Sequence, residues 1–184
     1  MDPTHCCPWW LAYTFDNPLR RLVHDPRKVV GPYLRPGMVA LDFGCGMGYF
    51  SIAMAKMVGP EGRVLAADLQ PQMLAIMMKR AKKAGVDRRI TPVQVEKTRL
   101  VLPEPVDFAL AMWVVHEVPG TERLLREIRA ALKPGARFLI VEPKRHVRPA
   151  QLEETIAAAR AAGFVEEGRP AVRMSLAVVL KSSD

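Results

Sequence analysis

Three closely spaced glycines, with an acidic residue two positions before the first, are the residues that first point to ligand binding. The stretch Asp42-Phe-Gly-Cys-Gly-Met-Gly48 has glycine at every second position from Gly44 onward. Glycine permits a left-handed backbone and lets a ligand lie against the main chain. A helix that begins after such a turn directs its free N–H groups and its positive end back at the turn. The Asp42 carboxylate would repel a pyrophosphate but suits a ligand that carries an ammonium group.

Two familiar phosphate-binding motifs do not match this turn. A dinucleotide fingerprint needs a third glycine three residues after the second, where this chain has Tyr49, and a P-loop needs Gly-Lys-Ser/Thr. Asp68 follows twenty residues after Gly48, at the end of a second apolar run, where a carboxylate can accept both hydroxyls of a ribose. The turn and this acid together favour a nucleoside ligand over the alternative of an ordinary strand-to-helix loop.

The elements that must position these residues alternate between strands and helices from Val39 onward, which predicts a parallel sheet covered by helices. The predicted strands are 38–41, 63–69, 90–95, 106–115, 137–141, 164–166 and 172–181. The predicted helices are 18–23, 49–58, 71–84, 121–132 and 151–162, several of them bounded by glycine or proline. The methionines of the helix 71–84 stand at helical spacing and are expected to fill the core.

The glycine turn and the pair Asp68-Leu69 resemble the first two motifs of the class I S-adenosylmethionine-dependent methyltransferases. Segments 108–118, 124–128, 132–135 and 139–143 resemble the ubiquinone-biosynthesis-type (methyltransferase type 11/25) group, and the resemblance spans residues 36–181. It implies an α/β fold with a Rossmann-like, doubly wound sheet. That sheet would be mostly parallel with one antiparallel strand, in the order 3-2-1-4-5-7-6.

The resemblance also implies the cofactor, S-adenosylmethionine, with S-adenosylhomocysteine as product, and its contacts. The glycine turn would carry the methionine part, Asp42 would face its amino group and Asp68 would hold the ribose. The full set of expected cofactor contacts is Asp42, Gly44, Cys45, Gly46, Gly48, Tyr49, Asp68, Leu69, Met73, Glu96, Met112 and Trp113. Glu96 would lie near the adenine amino group, and Met112 and Trp113 would lie beside the sulfonium. A core role is the alternative for Trp113, and no metal is expected.

Candidates for catalysis follow the fourth strand. His116 and Glu117 are adjacent there, and histidine can act as a base near neutral pH. A base helps only where the acceptor's proton is hard to remove, so structural hydrogen bonding is the alternative for His116. Tyr13, from the N-terminal arm, is the third catalytic candidate, and Glu142 and His146 could also face the pocket.

Residues 1–36 are rich in proline and aromatic side chains, and they precede a cofactor-binding domain expected over residues 37–184. This arm is interpreted either as a lid over cofactor and substrate or as a segment that packs on the sheet. His5-Cys6-Cys7 lacks the C-x-x-C spacing of a zinc site, so no metal centre is predicted there, and binding of arsenic(III) by the soft thiolates is the alternative.

Composition limits the partners. The net charge of +8 permits nucleic acid, but the basic residues are dispersed and do not favour it. No apolar run reaches the ~18 residues of a membrane span, and the chain lacks a signal-peptide pattern, so we expect a cytoplasmic monomer or homodimer. The predicted function is methyl transfer to a small molecule. The alternatives are an RNA or protein methyltransferase and a non-catalytic cofactor-binding protein. The Asn/Asp-Pro-Pro-Tyr motif of amine methylation is absent after the fourth strand, which disfavours methylation of amino groups.

Overall fold

A seven-stranded sheet forms the centre of the computed structural model, which describes residues 23–96 and 99–183. The strands are β1 Val39–Phe43, β2 Arg63–Asp68, β3 Ile90–Gln94, β4 Val106–Met112, β5 Leu132–Pro143, β6 Phe164–Gly168 and β7 Ser175–Ser182. The helices are α1 Pro26–Val29, α2 Tyr49–Met57, α3 Pro71–Lys83, α4 Thr121–Ala131 and α5 Pro149–Ala161. Short 3₁₀ turns cover Asp87–Arg89 and Val115–Glu117.

The strand order is β3-β2-β1-β4-β5-β7-β6, which confirms the predicted fold. β1 pairs in parallel with β2 on one side and with β4 on the other, and β7 is antiparallel to both β5 and β6. Chain order therefore reverses direction between β1 and β4. In open sheets of this kind, ligands bind beyond the carboxyl ends of the strands at that point.

Both faces of the sheet are buried, which explains why the central strands are apolar at consecutive positions rather than at alternate ones. In β4, Leu110 packs into a cluster with Met54 of α2 and with Met77 of α3, and Met77 is one of the methionines predicted to fill the core. Ala109, on the opposite face, packs into a cluster with Leu125 of α4. The helices α2 and α3 cover one face, and α4 and α5 cover the other.

The fourth strand is shorter than predicted, because the backbone turns away from the strand direction after Met112. We expected a strand to residue 115, but β4 ends at Met112 because Trp113 takes a left-handed conformation with φ 61°. A 3₁₀ turn then replaces the last predicted residues of the strand.

The sixth-to-seventh connection also differs from the prediction. β7 begins at Ser175 rather than at Val172, because the Ser175 N–H donates to the Val172 carbonyl across a turn in which Met174 has φ 57°. β5 begins at Leu132, earlier than expected, with a register shift in its pairing to β4. Local sequence carries little information about either boundary, since both depend on pairing with distant strands.

The N-terminal region contributes a helix that was not predicted. In α1 the Asp25 side chain accepts a hydrogen bond from the Arg27 N–H at 3.0 Å, and Pro26 occupies the first turn, a favourable helix start. Of the predicted helix 18–23 only residue 23 is among the described residues; Tyr13 and the segment 5–7 lie outside them. None of the helices in the described part of the chain is long and apolar enough to cross a membrane.

Candidate active site

The glycine turn lies at the carboxyl end of β1, next to the start of α2. Gly46 and Gly48 have φ of 52° and 83°, values that an L side chain rarely adopts. A Cβ at Gly48 would lie 2.3 Å from Cγ of Met77, so glycine is needed there for packing. A Cβ at Gly46 would meet no atom within 4 Å. The backbone of Gly46 therefore borders open space.

Asp68 is tied directly to this turn. One carboxylate oxygen, Oδ2, accepts the Gly46 N–H at 2.8 Å, and the other, Oδ1, accepts the Gln70 N–H at 2.9 Å. The side chain is 8% exposed, and this burial raises the pKa of the Asp68 carboxyl although the N–H groups of Gln70, Gly46 and Leu69 act to lower it. The structure thus brings Asp68 and the glycine turn together. Each carboxylate oxygen can accept more than one hydrogen bond, as ribose hydroxyls require.

Asp42 is buried within the same edge, with 2% of its surface exposed. Its carboxylate accepts a hydrogen bond from the Ser51 hydroxyl of α2, near the positive end of that helix. Cys45 is also buried, and burial raises its pKa well above the ordinary value, with further increases from the charges of Asp42 and Asp68. The Cys45 thiol is therefore protonated and unreactive near neutral pH.

Trp113 follows β4 at the same edge and is held at three points. Its backbone N–H donates to the Val141 carbonyl at 2.7 Å, and its indole N–H donates to Oγ of Ser175 at 2.9 Å. Its ring meets the ring of His24 in a T-shaped contact, with centroids 4.8 Å apart. These contacts keep a non-glycine residue in the left-handed region, which costs roughly 1–3 kcal/mol.

His24 contacts this edge of the sheet through the ring of Trp113. The side chain is 2% exposed, and Nε2 lies 3.0 Å from the Arg173 carbonyl. The Tyr49 hydroxyl donates to the His24 backbone carbonyl at 3.0 Å, so Tyr49 connects the start of α2 to the N-terminal region. A histidine in an irregular, proline-rich segment has no periodicity that would indicate burial, and no sequence signal identified it.

His116 and Glu142 form the most polar pair at this edge. Nδ1 of His116 bonds to Oε2 of Glu142, a residue near the end of β5 that is 2% exposed, whereas the His116 side chain is 22% exposed. Partial burial lowers the pKa of His116, but the hydrogen bond to Glu142 and the charges of Glu142 and Glu117 outweigh it and raise the pKa above its ordinary value. The ring of His146 lies 5.7 Å from that of His116, centroid to centroid.

Two polar atoms of this pair are not used in their mutual hydrogen bond. Oε1 of Glu142 is buried and has no hydrogen-bond partner among the described residues, which is costly for a carboxylate and consistent with a bound water or ligand group. Since Nδ1 of His116 is engaged with Glu142, the other ring nitrogen, Nε2, is the one that can exchange a proton with a ligand.

The remaining predicted contacts lie along the same edge but with different exposure. Leu69 is half-buried directly after β2, Met73 is buried in the first turn of α3, and Met112 is buried at the end of β4. Glu96 is exposed two residues after β3, and the preceding residue, Val95, donates its N–H to the Asp68 carbonyl. The strand ends therefore bring all of these positions to one edge of the sheet.

The chain is similar in sequence to known methyltransferases. A family model described as a methyltransferase domain matches residues 40–135. The ubiquinone/menaquinone biosynthesis C-methyltransferase UbiE of Pasteurella multocida is 30% identical over 110 residues, which are 59% of this chain and 41% of that protein. The protein-L-isoaspartate O-methyltransferase of Methanopyrus kandleri is 33% identical over 121 residues, which are 65% of this chain and 51% of that protein.

Solved structures agree with these sequence matches. A SAM-dependent methyltransferase from Aquifex aeolicus superimposes with a TM-score of 0.82 at 26% identity, covering 98% of each chain. The chain spans about half the length of the curated relatives that it matches.

Proposed function

Because the chain belongs to the methyltransferase domain family, we propose that it is an S-adenosylmethionine-dependent methyltransferase that acts on a small molecule whose attacking atom must lose a proton. The observation that carries this proposal is the His116–Glu142 pair, which lies at the carboxyl ends of the adjacent strands β4 and β5. The glycine turn at the end of β1, the neighbour of β4, supplies the cofactor side of the same edge.

The residues around the glycine turn fit the cofactor. We infer that the open face of Gly46 receives the methionine portion, that the buried Asp42 carboxylate complements its ammonium group, and that Asp68 accepts the ribose hydroxyls. Trp113, beyond the end of β4, would border the sulfonium. When bound, S-adenosylmethionine supplies a methyl group that is already activated for displacement, so the chain's main contribution is alignment and exclusion of water.

His116 is the proposed base for the acceptor. With Nδ1 held by Glu142, Nε2 can take the acceptor's proton, and the Glu142 carboxylate stabilises the imidazolium that results. This chemistry matches replacement of a C–H by a methyl group, as the name of the ubiquinone/menaquinone biosynthesis C-methyltransferase implies for that relative. Phenols and reduced quinones are therefore the acceptor class that we propose.

A second candidate is methylation of a protein carboxylate. The protein-L-isoaspartate O-methyltransferase of Methanopyrus kandleri supports it, at the highest identity among the relatives described above. A carboxylate is already ionised at neutral pH and needs no base, so this candidate leaves the His116–Glu142 pair without a role in proton transfer.

Cofactor binding is tested first, by calorimetric titration with S-adenosylmethionine and S-adenosylhomocysteine. The Asp68→Ala variant should lose at least about tenfold in affinity, because two charge-assisted hydrogen bonds to the ribose disappear. Asp107→Ala is the matched control: this carboxylate also accepts a backbone N–H, that of Val39 at 2.8 Å, but at the opposite end of the strands. Equal losses of cofactor affinity in the two variants would contradict a role for Asp68 in binding the cofactor.

The acceptor is then identified by transfer of a labelled methyl group to phenols, reduced quinones, thiols and an isoaspartyl peptide. His116→Ala should lower the rate on the true acceptor by roughly 10²–10⁴-fold and leave the affinity for S-adenosylhomocysteine within threefold. Methylation of the peptide alone, at a rate that His116→Ala does not change, would favour the second candidate and contradict the first.

A further inference from the structure

We propose that His24 is a positioning residue that holds Trp113 in place beside the cofactor and so couples the N-terminal region to cofactor binding. The proposal rests on the role assigned to Trp113 above. His24 lies in the segment before α1, 89 positions from Trp113 in the chain, yet the two rings meet edge to face at 4.8 Å and 85°.

The Trp113 indole, the Ser175 hydroxyl, the Arg173 carbonyl and the His24 ring form a closed ring of contacts. The indole N–H donates to Oγ of Ser175, and the Ser175 hydroxyl donates to the Arg173 carbonyl at 3.2 Å. The same carbonyl is the partner of Nε2 of His24, whose ring returns to Trp113. Since a carbonyl only accepts, Nε2 of His24 must carry a proton, which defines its orientation. Each member of the ring thus restricts the position of the next.

Backbone strain explains why such a ring is needed. Trp113 and Met174 are the non-glycine residues with positive φ in the described part of the chain. The ring of contacts links Trp113 to Arg173 and Ser175, the two chain neighbours of Met174. A left-handed residue is retained only where its surroundings hold it there. Without His24, Trp113 would keep its hydrogen bonds to Ser175 and Val141 and its packing against the buried cluster, but would lose the ring contact from the segment before α1.

The N-terminal segment is in turn fixed to the glycine turn. The Tyr49 hydroxyl donates to the His24 carbonyl, and Tyr49 directly follows Gly48 as the first residue of α2. His24 therefore bridges the two sides of the proposed cofactor site, the glycine turn on one side and Trp113 on the other. Loss of the His24 side chain should therefore weaken cofactor binding through the position of Trp113.

Two substitutions separate the hydrogen bond of the His24 side chain to the Arg173 carbonyl from its ring contact with Trp113. His24→Phe retains an aromatic ring beside Trp113 but removes the donor to the Arg173 carbonyl, whereas His24→Gln retains an N–H donor but removes the ring. We expect His24→Ala, which removes both, to weaken binding of S-adenosylhomocysteine by about three- to tenfold, the effect of one or two net contacts. The two conservative variants should lie between His24→Ala and the wild type.

The position of Trp113 is followed by ¹⁹F NMR of protein labelled with 5-fluorotryptophan, with the Trp113 resonance assigned from Trp113→Phe. His24→Ala should shift or broaden that resonance. Ser182→Ala is the control, because the Ser182 hydroxyl makes a comparable buried bond to the Lys133 carbonyl at the far end of β7. This control should lower stability without moving the resonance or the affinity.

The outcomes distinguish this inference from the proposed function. An unmoved Trp113 resonance and wild-type affinity in His24→Ala would overturn the positioning role, even where Asp68→Ala abolishes binding. Wild-type affinity in Trp113→Phe would also overturn it, because His24 would then act on a residue that does not matter for binding. Loss of affinity in Ser182→Ala equal to that in His24→Ala would show a general effect of stability and contradict the proposal.

Discussion

Substitution of Gly46 by alanine can separate an effect on the free energy of unfolding from an effect on cofactor affinity. Alanine at this position would meet no atom within 4 Å, so Gly46→Ala carries only the cost of a left-handed side chain, about 1–2 kcal/mol. Gly59 is the matched control, since it also has positive φ, 72°, and open space around its Cβ, but it lies after α2 at the other end of that helix. The two variants should lose similar stability.

Their cofactor affinities should differ strongly. The new methyl group of Gly46→Ala would occupy the opening assigned to the methionine portion of the cofactor, so affinity should fall by more than about tenfold. Gly59→Ala should bind as the wild type does. Gly48→Ala completes the set: its Cβ would lie 2.3 Å from Met77 Cγ, which adds an overpacking cost of about 1–3 kcal/mol to the left-handed strain.

The assay combines thermal unfolding with calorimetric titration of S-adenosylhomocysteine. For a chain of this size each kcal/mol lowers Tm by roughly 2–4 °C, so Gly46→Ala and Gly59→Ala should fall by similar amounts and Gly48→Ala by clearly more. Equal affinity of Gly46→Ala and Gly59→Ala for S-adenosylhomocysteine would refute the reasoning, because the space above Gly46 would then not belong to the cofactor.

Three further predictions concern ionisation and packing. The pKa of His116 is raised, so its pairing with Glu142 stabilises the fold below the ordinary value of about 6.5, and this contribution is lost as the pH rises through the folded pKa. Glu142→Gln should move the NMR titration midpoint of the His116 ring to lower pH, and an unchanged midpoint would contradict the pairing. Because the pKa of Asp68 is raised, affinity for S-adenosylhomocysteine should begin to fall above the ordinary carboxyl value of about 3.9 as the pH drops, and the decrease attributable to this group should be absent in Asp68→Asn. Leu125→Ala, in the fully buried face of α4, should cost about 2–5 kcal/mol of unfolding free energy in urea. Val165→Ala, at a side chain that is 58% exposed, should stay within about 0.5 kcal/mol, and similar losses would argue against the assigned core.

Most of the strands and helices could be predicted from local patterns in the sequence. Continuous apolar runs, glycine and proline breaks and helical spacing depend on neighbours a few residues away, so the strands and helices and their parallel arrangement were predictable. The spacing of Asp68 from the glycine turn indicated a nucleoside ligand for the same reason, because strand, turn and helix follow one another in the chain. The structure confirms the sheet order, which the resemblance to the methyltransferases implied, and it joins Asp68 to Gly46 through a hydrogen bond.

Tertiary structure decided what depends on distant segments. The end of β4 at Met112 follows from the left-handed Trp113, which is held by Val141 and Ser175 of other strands. His24 reaches the Arg173 carbonyl across 149 positions, and no local pattern indicates that contact.

The pairing of His116 with Glu142 across 26 positions has the same origin. Both residues were visible in the sequence as candidates, but only the side-by-side pairing of β4 and β5 brings them together. Residue types and local spacing thus determined which chemistry the chain can offer. The folded sheet determined which of those groups meet, because hydrogen bonds and pKa shifts depend on distances of a few ångströms between segments that the sequence separates.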